Sequence, residues 1–498
     1  MSEVGSIAGL SSLGQKFCPD KSAHRCVAFP CLYSVFGRQT LLAIGRRRFL
    51  TFPWIANCYA HVHNFRYLEN KSDDRPVDDR SNYQKTSGIL SMKSASLLGS
   101  ATLIAACVSS INAVGQDHSV TLDEIKHGSI EITPKLPEGG KYAKGTVLTI
   151  KAKPEQGFAL DSIYYSVPGR WGSMYHESLS PEFQITVDQD KHIGASFIDA
   201  KEVSHIDVIN NIVYAKPGVK ELKYDVYKPK NAENLPIIVI IHGGGWATND
   251  EDIMRGLARE LTKGNKFVVC SIDYRWIGDL DGDAQPNSMA DLINDAFGAI
   301  VHIREHAADY GGDPKRIGVT GDSAGGHLSA SASILIEKIG DQGFGKTSGV
   351  YEFQPTYLPN GQSASDVKKD LLASVKAAAP SYGVFSAESL GRFQQGLPAQ
   401  ASEAVAPQSQ IPSVDQRAIP QFLLRGTKDF LINDAAVSAF ADALKGKGQT
   451  CVYEQVEGAG HAFFDWKPNA EVKATFAQYG VPYAAKMRAF FEEHLYAK

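Results

Sequence analysis

A serine held between glycines at the end of a strand can attack a carbonyl carbon. It needs a base within reach of its hydroxyl and N–H groups aimed at the charge that develops on oxygen. Gly321-Asp322-Ser323-Ala324-Gly325-Gly326 has the pattern G-x-S-x-G. Arg316-Ile317-Gly318-Val319-Thr320 before it reads as a strand, and His327-Leu328-Ser329-Ala330-Ser331-Ala332 after it reads as the start of a small-residue helix. In that strand–turn–helix setting the motif is a nucleophile elbow, whose glycines allow a tight turn that leaves the serine hydroxyl standing above the sheet. The chemistry it implies is acyl transfer through Ser323.

The other parts of such a site must come from further strand ends. Leu235-Pro236-Ile237-Ile238-Val239-Ile240-Ile241 is an apolar run of the kind found in buried parallel strands. It ends in His242-Gly243-Gly244-Gly245-Trp246, where the glycines leave backbone N–H groups open to close approach. Together with the N–H of Ala324 they could stabilise an oxyanion; the plainer reading is a glycine turn after a strand. Gln421-Phe422-Leu423-Leu424 reads as a strand that runs into Asp429, and Cys451–Val456 as a strand followed by His461. The chain order Ser, Asp, His is that of the α/β-hydrolase triad. His461 would accept the Ser323 proton, and Asp429 would hold its tautomer and stabilise the imidazolium. Asp434 is the alternative acid, Asp429 fitting better because it follows the strand directly. His242 and His327 read as structural, and His494 as a solvated residue of a C-terminal helix, Tyr483–Leu495.

From about Val203 to the C-terminus the chain resembles an α/β-hydrolase of the esterase/lipase superfamily. The resemblance is to the group holding hormone-sensitive-lipase-like carboxylesterases and bacterial feruloyl-esterase-like (BD-FAE) enzymes. It is carried by Tyr224-Asp225-Val226-Tyr227, His242–Trp246, Ser271-Ile272-Asp273-Tyr274-Arg275, Gly321–Gly326 and Gly460-His461-Ala462-Phe463. It implies a mostly parallel central sheet flanked by helices, and carboxylic-ester hydrolysis with Ser323, Asp429 and His461 as the triad. It also implies an oxyanion hole made by two of Gly243, Gly244 and Gly245 with Ala324. Only about forty residues separate Val203 from His242, which leaves little room for an N-terminal cap and favours the feruloyl-esterase-like branch. Residues 339–369, rich in Gly, Ser, Gln and Tyr, read as an insertion, either a lid or pocket wall or a loose surface loop.

The chain has 498 residues, enough for more than one folded unit, and a net charge of −4. Twelve basic and seven acidic residues precede Met92, leaving 39 basic against 48 acidic in the rest, a balance that argues against a nucleic-acid partner. Met92-Lys93, a short small-residue apolar stretch and Ile104-Ala105-Ala106-Cys107 read as an export signal, too short to span a membrane. Its end resembles a bacterial lipobox, with Cys107 as the lipidation site and a lipid anchor to a membrane as the consequence. Because such a signal belongs at the start of translation, Met92 is expected to be the true start and Met1–Ser91 an extension. The signal then covers residues 92–115, and the protein is expected to be exported, to the periplasm or cell surface. Cys270 and Cys451 sit in strand-like runs and read as small buried hydrophobes. No His/Cys cluster has metal-ligand spacing, so neither metal nor other cofactor is expected.

Between signal and hydrolase, residues 128–199 form a unit of β character. Thr146–Ala152, Phe158–Tyr165, Phe183–Val187 and Ile193–Phe197 are strand-like around the turns Pro154–Gly157 and Asp188–Lys191. Gly145–Ala152, Pro154–Phe158 and Val187–Phe197 resemble the internalin B-repeat, which implies a spacer or a weak binding module, joined to the hydrolase (203–498) by a linker at Asp199–Val203. The substrate expected is a short-chain acyl, acetyl or aryl ester, small or borne on a polysaccharide, with Phe463, Phe464, Trp466, Trp246 and Trp276 as candidate walls. A serine peptidase on the same fold and a catalytically silent surface-binding hydrolase fold are the competing readings.

Overall fold

Period-two alternation and long apolar runs ask for two different kinds of sheet, and the chain builds both. The computed structural model describes residues 117–169, 172–282, 285–394 and 397–497; Cys107, the Met92 start and all of 1–116 lie outside the described residues. The first part is all β: β1 (Asp117–Leu122), β2 (Gly128–Thr133), β3 (Lys141–Ala143), β4 (Val147–Pro154), β5 (Phe158–Gly169), β6 (Gly172–Ser178), β7 (Glu182–Thr186) and β8 (Lys191–Asp199). They form a five-stranded sheet ordered β3-β1-β8-β5-β6 and a three-stranded sheet ordered β2-β4-β7. The alternation in β4 has its reason here: Leu148 and Ile150 are fully buried with Val120, Ile163, Val187 and Ile193, while Val147 faces solvent. This unit starts at β1, earlier than residue 128. Asp117–Leu122 is short and polar, and its pairing with β8 lies some seventy residues away in sequence, so nothing local marks it as a strand.

The second part carries β9 (Ile206–Ala215), β10 (Leu222–Pro229), β11 (Leu235–Ile241), β12 (Val268–Ile272), β13 (Gly312–Asp322), β14 (Val375–Ser381), β15 (Gln421–Gly426) and β16 (Cys451–Val456). Its helices are α1 (Arg255–Thr262), α2 (Met289–Glu305), α3 (Ala324–Ile334), α4 (Ala364–Ser374), α5 (Ala387–Phe393), α6 (Ala399–Val405), α7 (Asp434–Gly446), α8 (Ala470–Thr475) and α9 (Val481–Leu495). The strands make one sheet ordered β9-β10-β12-β11-β13-β14-β15-β16. β9, β10 and β12 pair antiparallel, and every pairing from β12 through β11 to β16 is parallel. Helices covering both faces of a parallel sheet explain why β11 is apolar at every position: Ile237 through Ile241 are all fully buried. This is the doubly wound order of an α/β-hydrolase, with functional loops at the carboxyl ends of the parallel strands.

The insertion is well anchored. Phe353 is fully buried against Phe297 of α2, Thr356 Oγ1 donates to Asp295, and Gln354 N–H donates to Asn294 Oδ1 2.9 Å away. The last part of the 339–369 stretch belongs to α4, which opens on a Ser363/Asp366 capping box. Both parts of the protein belong to one compact unit.

Candidate active site

β13 delivers Ser323 at the top of the sheet in a conformation few residues adopt, φ 53° and ψ −114°. The strain is held by its neighbours: the Ser323 N–H donates to Ser381 O at the end of β14 (3.0 Å), and α3 begins at the next residue. Gly325 is there because β11 passes so close. A Cβ on it would lie 1.9 Å from Ile241 O and 2.6 Å from His242 O, both backbone atoms that cannot swing aside. Gly325→Ala is therefore expected to push the elbow off β11 and reduce kcat/KM at least about a hundred-fold. Gly391→Ala in α5, where a Cβ meets nothing within 4 Å, should leave turnover unchanged. Steady-state kinetics of the two variants side by side checks this.

The structure brings Ser323, His461 and Asp429 together. His461 Nε2 lies 2.9 Å from Ser323 Oγ, and His461 Nδ1 lies 2.8 Å from Asp429 Oδ2. The other carboxylate oxygen, Oδ1, accepts the N–H groups of Leu431 and Ile432, each at 2.9 Å. Arg425 pins the same turn by donating to Ile432 O (2.6 Å) and Asp429 O (3.1 Å). Burial by itself would raise the Asp429 carboxyl, but the contact with His461 and the two N–H donors outweigh it and hold it below the ordinary carboxylate value. An ionised Asp429 accepts Nδ1–H, which leaves Nε2 bare toward the serine hydroxyl. Asp434, the alternative acid, is elsewhere: it heads α7 and accepts from Tyr453 and Gln455.

The glycine loop after β11 divides its N–H groups between two tasks. Gly243 N–H donates to Asp322 Oδ1 at 2.7 Å, so that donor is occupied. Gly244 (φ 119°) and Gly245 (φ 63°) have no acceptor for their N–H groups among the described residues. Ala324, first residue of α3, has an N–H that a helix leaves without an intrahelical partner. Of the four candidates, Gly244, Gly245 and Ala324 are therefore the ones with donors free for a ligand oxygen. Asp322 is the residue that sequence reasoning missed. It occupies the first x of G-x-S-x-G, and a charged residue at a position forced to be buried was the available signal. Burial, with Asp465 nearby, pushes its carboxyl up to about 7, although His461 and the Gly243 N–H oppose the shift.

Three histidines outside the triad have structural partners. His327 Nε2 lies 2.9 Å from Val405 O, which can only accept, so Nε2 carries the proton and Nδ1 is the acceptor for Trp246 Nε1 at 3.3 Å. Burial depresses the His327 pKa to about 4, in keeping with a neutral ring. That bond secures Trp246, which has φ 63° directly after the glycines. His242 stacks on Tyr274 with centroids 4.2 Å apart. His494 packs edge-on against Phe490 of the same helix.

The aromatic residues singled out as walls are mostly packing. Phe463 and Phe464 are fully buried, Trp246 nearly so, and Trp276 donates to Asn249 O beneath Lys220. Trp466 turns toward the small β domain. The cavity beside the site has other walls: a volume of about 160 Å³ bounded by Gly383, Val384, Phe393, Leu431, Ile432 and Ala436. Gly383 follows Tyr382, whose ring stands edge-on to His461 (5.0 Å between centroids), and Leu431 and Ile432 are the two donors to Asp429.

Residues 224–444, from β10 through α7, match the family model BD-FAE. Among curated proteins of Mycobacterium tuberculosis, the chain is 37% identical to carboxylesterase NlhH over 124 residues (25% of this chain, 37% of that one). It is 36% identical to carboxylic ester hydrolase LipN over 127 residues (25% and 31%), and 29% identical to esterase LipQ over 265 residues (50% and 55%). The second part of the protein has the α/β-hydrolase sheet and is similar to carboxylesterases of the esterase/lipase superfamily. The chain spans between about a third and about half of the length of these relatives. Within the hydrolase the matched segment holds Ser323 and Asp429 and stops short of His461, which the geometry supplies independently.

Proposed function

We propose that the protein hydrolyses carboxylic esters through an acyl-enzyme on Ser323. The observation that carries this reading is His461 bridging Ser323 Oγ (2.9 Å) and an ionised, buried Asp429 (2.8 Å). His461 Nε2 takes the hydroxyl proton as Oγ bonds to the ester carbonyl carbon, and the charge passes to the carbonyl oxygen. The N–H groups of Gly244, Gly245 and Ala324 are the donors for that oxygen. Collapse of the tetrahedral intermediate breaks the bond to the alcohol oxygen, which receives the proton from His461. Water, deprotonated by the same nitrogen, then releases the acid and restores Ser323.

The size of the cavity beside Tyr382 and the acid turn supports a small substrate. A cavity of roughly 150 Å³ accommodates a single benzene ring, so the 160 Å³ space suits a short acyl chain or one aryl ring. The export-signal pattern ending at Cys107 supports an extracytoplasmic location, where polysaccharide-borne esters are among the substrates in reach.

The test is a p-nitrophenyl ester series from acetate to octanoate, with fluorophosphonate labelling alongside. Turnover is expected to peak at the short end, and the label to map to Ser323. A folded protein that neither turns over any ester nor accepts the label would exclude the reading and favour a silent hydrolase fold.

A further inference from the structure

We propose that Asp161, in the small β domain, is a positioning residue for the loop that carries His461. The inference rests on the ester-hydrolase reading of the site. The sequence presents residues 128–199 as a spacer or a weak binding module, yet β5 and β6 are docked on the hydrolase through a charge network centred on the buried pair Asp161 and Arg255. Asp161, on β5, accepts from Arg255 Nε at 3.0 Å and from Arg259, both on α1. It also accepts from Lys473 Nζ on α8 at 3.1 Å and from Ser196 Oγ on β8 at 3.0 Å. Glu177, on β6, shares the Arg255 guanidinium. Neither Asp161 nor Arg255 exposes any side-chain surface.

The remaining donor to Asp161 comes from the loop that carries His461. Trp466 lies five residues after His461, and its indole Nε1 is 3.2 and 3.0 Å from the two Asp161 oxygens. Its backbone N–H donates to Ile253 O at 3.0 Å, and its ring lies so close to Gly256 that a Cβ there would meet it at 2.8 Å. Arg259 and Lys473, both bound to Asp161, stand over the same ring at 5.3 and 4.9 Å from its centroid. The loop from β16 to α8 thus has two fixed points on its far side, one of them supplied by another domain. Between them and β16 stands His461. A histidine on a long loop keeps its 2.9 Å approach to Ser323 only if the loop cannot drift, and an ångström of drift is enough to slow chemistry about a hundred-fold. Asp161 never approaches a reacting atom; it acts through Trp466.

Two variants separate positioning from mere stabilisation. Trp466→Phe keeps an aromatic ring on the loop and removes the indole N–H together with the fused second ring that lies against Gly256. Glu177→Gln takes a charge out of the same buried network without touching Trp466. In Trp466→Phe, hydrogen exchange should quicken across 458–467, and kcat should fall about ten-fold with KM nearly unchanged. Glu177→Gln should lower the melting temperature at least as far, yet leave both kcat and exchange in that segment at the wild-type level. A kcat that declines in step with melting temperature across both variants would overturn the proposal, as would unaltered exchange in Trp466→Phe. If the wild-type protein turns over no ester, the hydrolase reading fails on its own, and the exchange comparison still decides the role of Asp161.

Discussion

With Ser323 replaced by alanine, ester turnover falls by roughly a million-fold while the melting temperature hardly moves. The hydroxyl is the atom that forms the new bond, and it is lost without disturbing the packing beneath it. His461→Ala should cost nearly as much, and the double variant little more than either, because the two groups act in one proton transfer. Asp429→Asn should cost about ten-thousand-fold, for a reason visible in the acid turn. Two backbone N–H groups point at Oδ1, so the amide oxygen of an asparagine must sit there and its NH₂ must face His461 Nδ1. The ring then accepts at Nδ1 and carries its proton on Nε2, where it cannot take one from Ser323. Steady-state kinetics of the four variants beside the wild type, at matched concentrations of folded protein, measures the series. Additive losses in the double variant would show that Ser323 and His461 do not act together.

Replacing Asp161 by alanine should cost about 3–5 kcal/mol of stability at neutral pH, a large part of what holds a domain folded. The loss comes less from the missing attraction than from the buried guanidinium of Arg255 and the nearly buried one of Arg259, both left without their main carboxylate partner. Burial by itself pushes the Asp161 carboxyl up, but the three cations outweigh it and hold it well below the usual carboxylate range. A carboxylate with a depressed folded pKa contributes stability that is fully present above its unfolded value, about 3.9, and is lost as pH falls through the folded value. Urea unfolding of wild type and variant should therefore differ by a constant amount from pH 8 down to about 5. The two curves should draw together only in strong acid, well below about pH 4. A gap that closes near neutral pH would mean that some other group carries the effect.

Much of the site was legible because its parts are local. The elbow needs only six consecutive residues, and Asp429 and His461 each follow a strand whose apolar pattern announces it. The parallel core strands were legible for the same reason: β11 is apolar throughout and β13 runs directly into the elbow. What could not be read is contact between segments that no pattern links. Asp322 meets Gly243 across 79 residues, and Trp466 meets Asp161 across 305. Trp466 reads from sequence as a pocket wall, since a tryptophan near a catalytic histidine carries no mark of where its N–H will point. Asp161 reads as one polar position among apolar neighbours in β5, and only the packing of α1 against that strand gives its charge a purpose.

Ser323 is synthesised 138 residues before His461. α9 comes later still, packing Phe491 against Gly318 of the nucleophile strand so closely that a Cβ there would collide at 2.5 Å. On a ribosome the chain therefore carries Ser323 for a long interval without the imidazole that would activate it. During that interval the serine is an ordinary alcohol. In the proposed mechanism its reactivity switches on only when β16, the histidine loop and α9 close over the sheet, which would leave half-made chains inert toward esters.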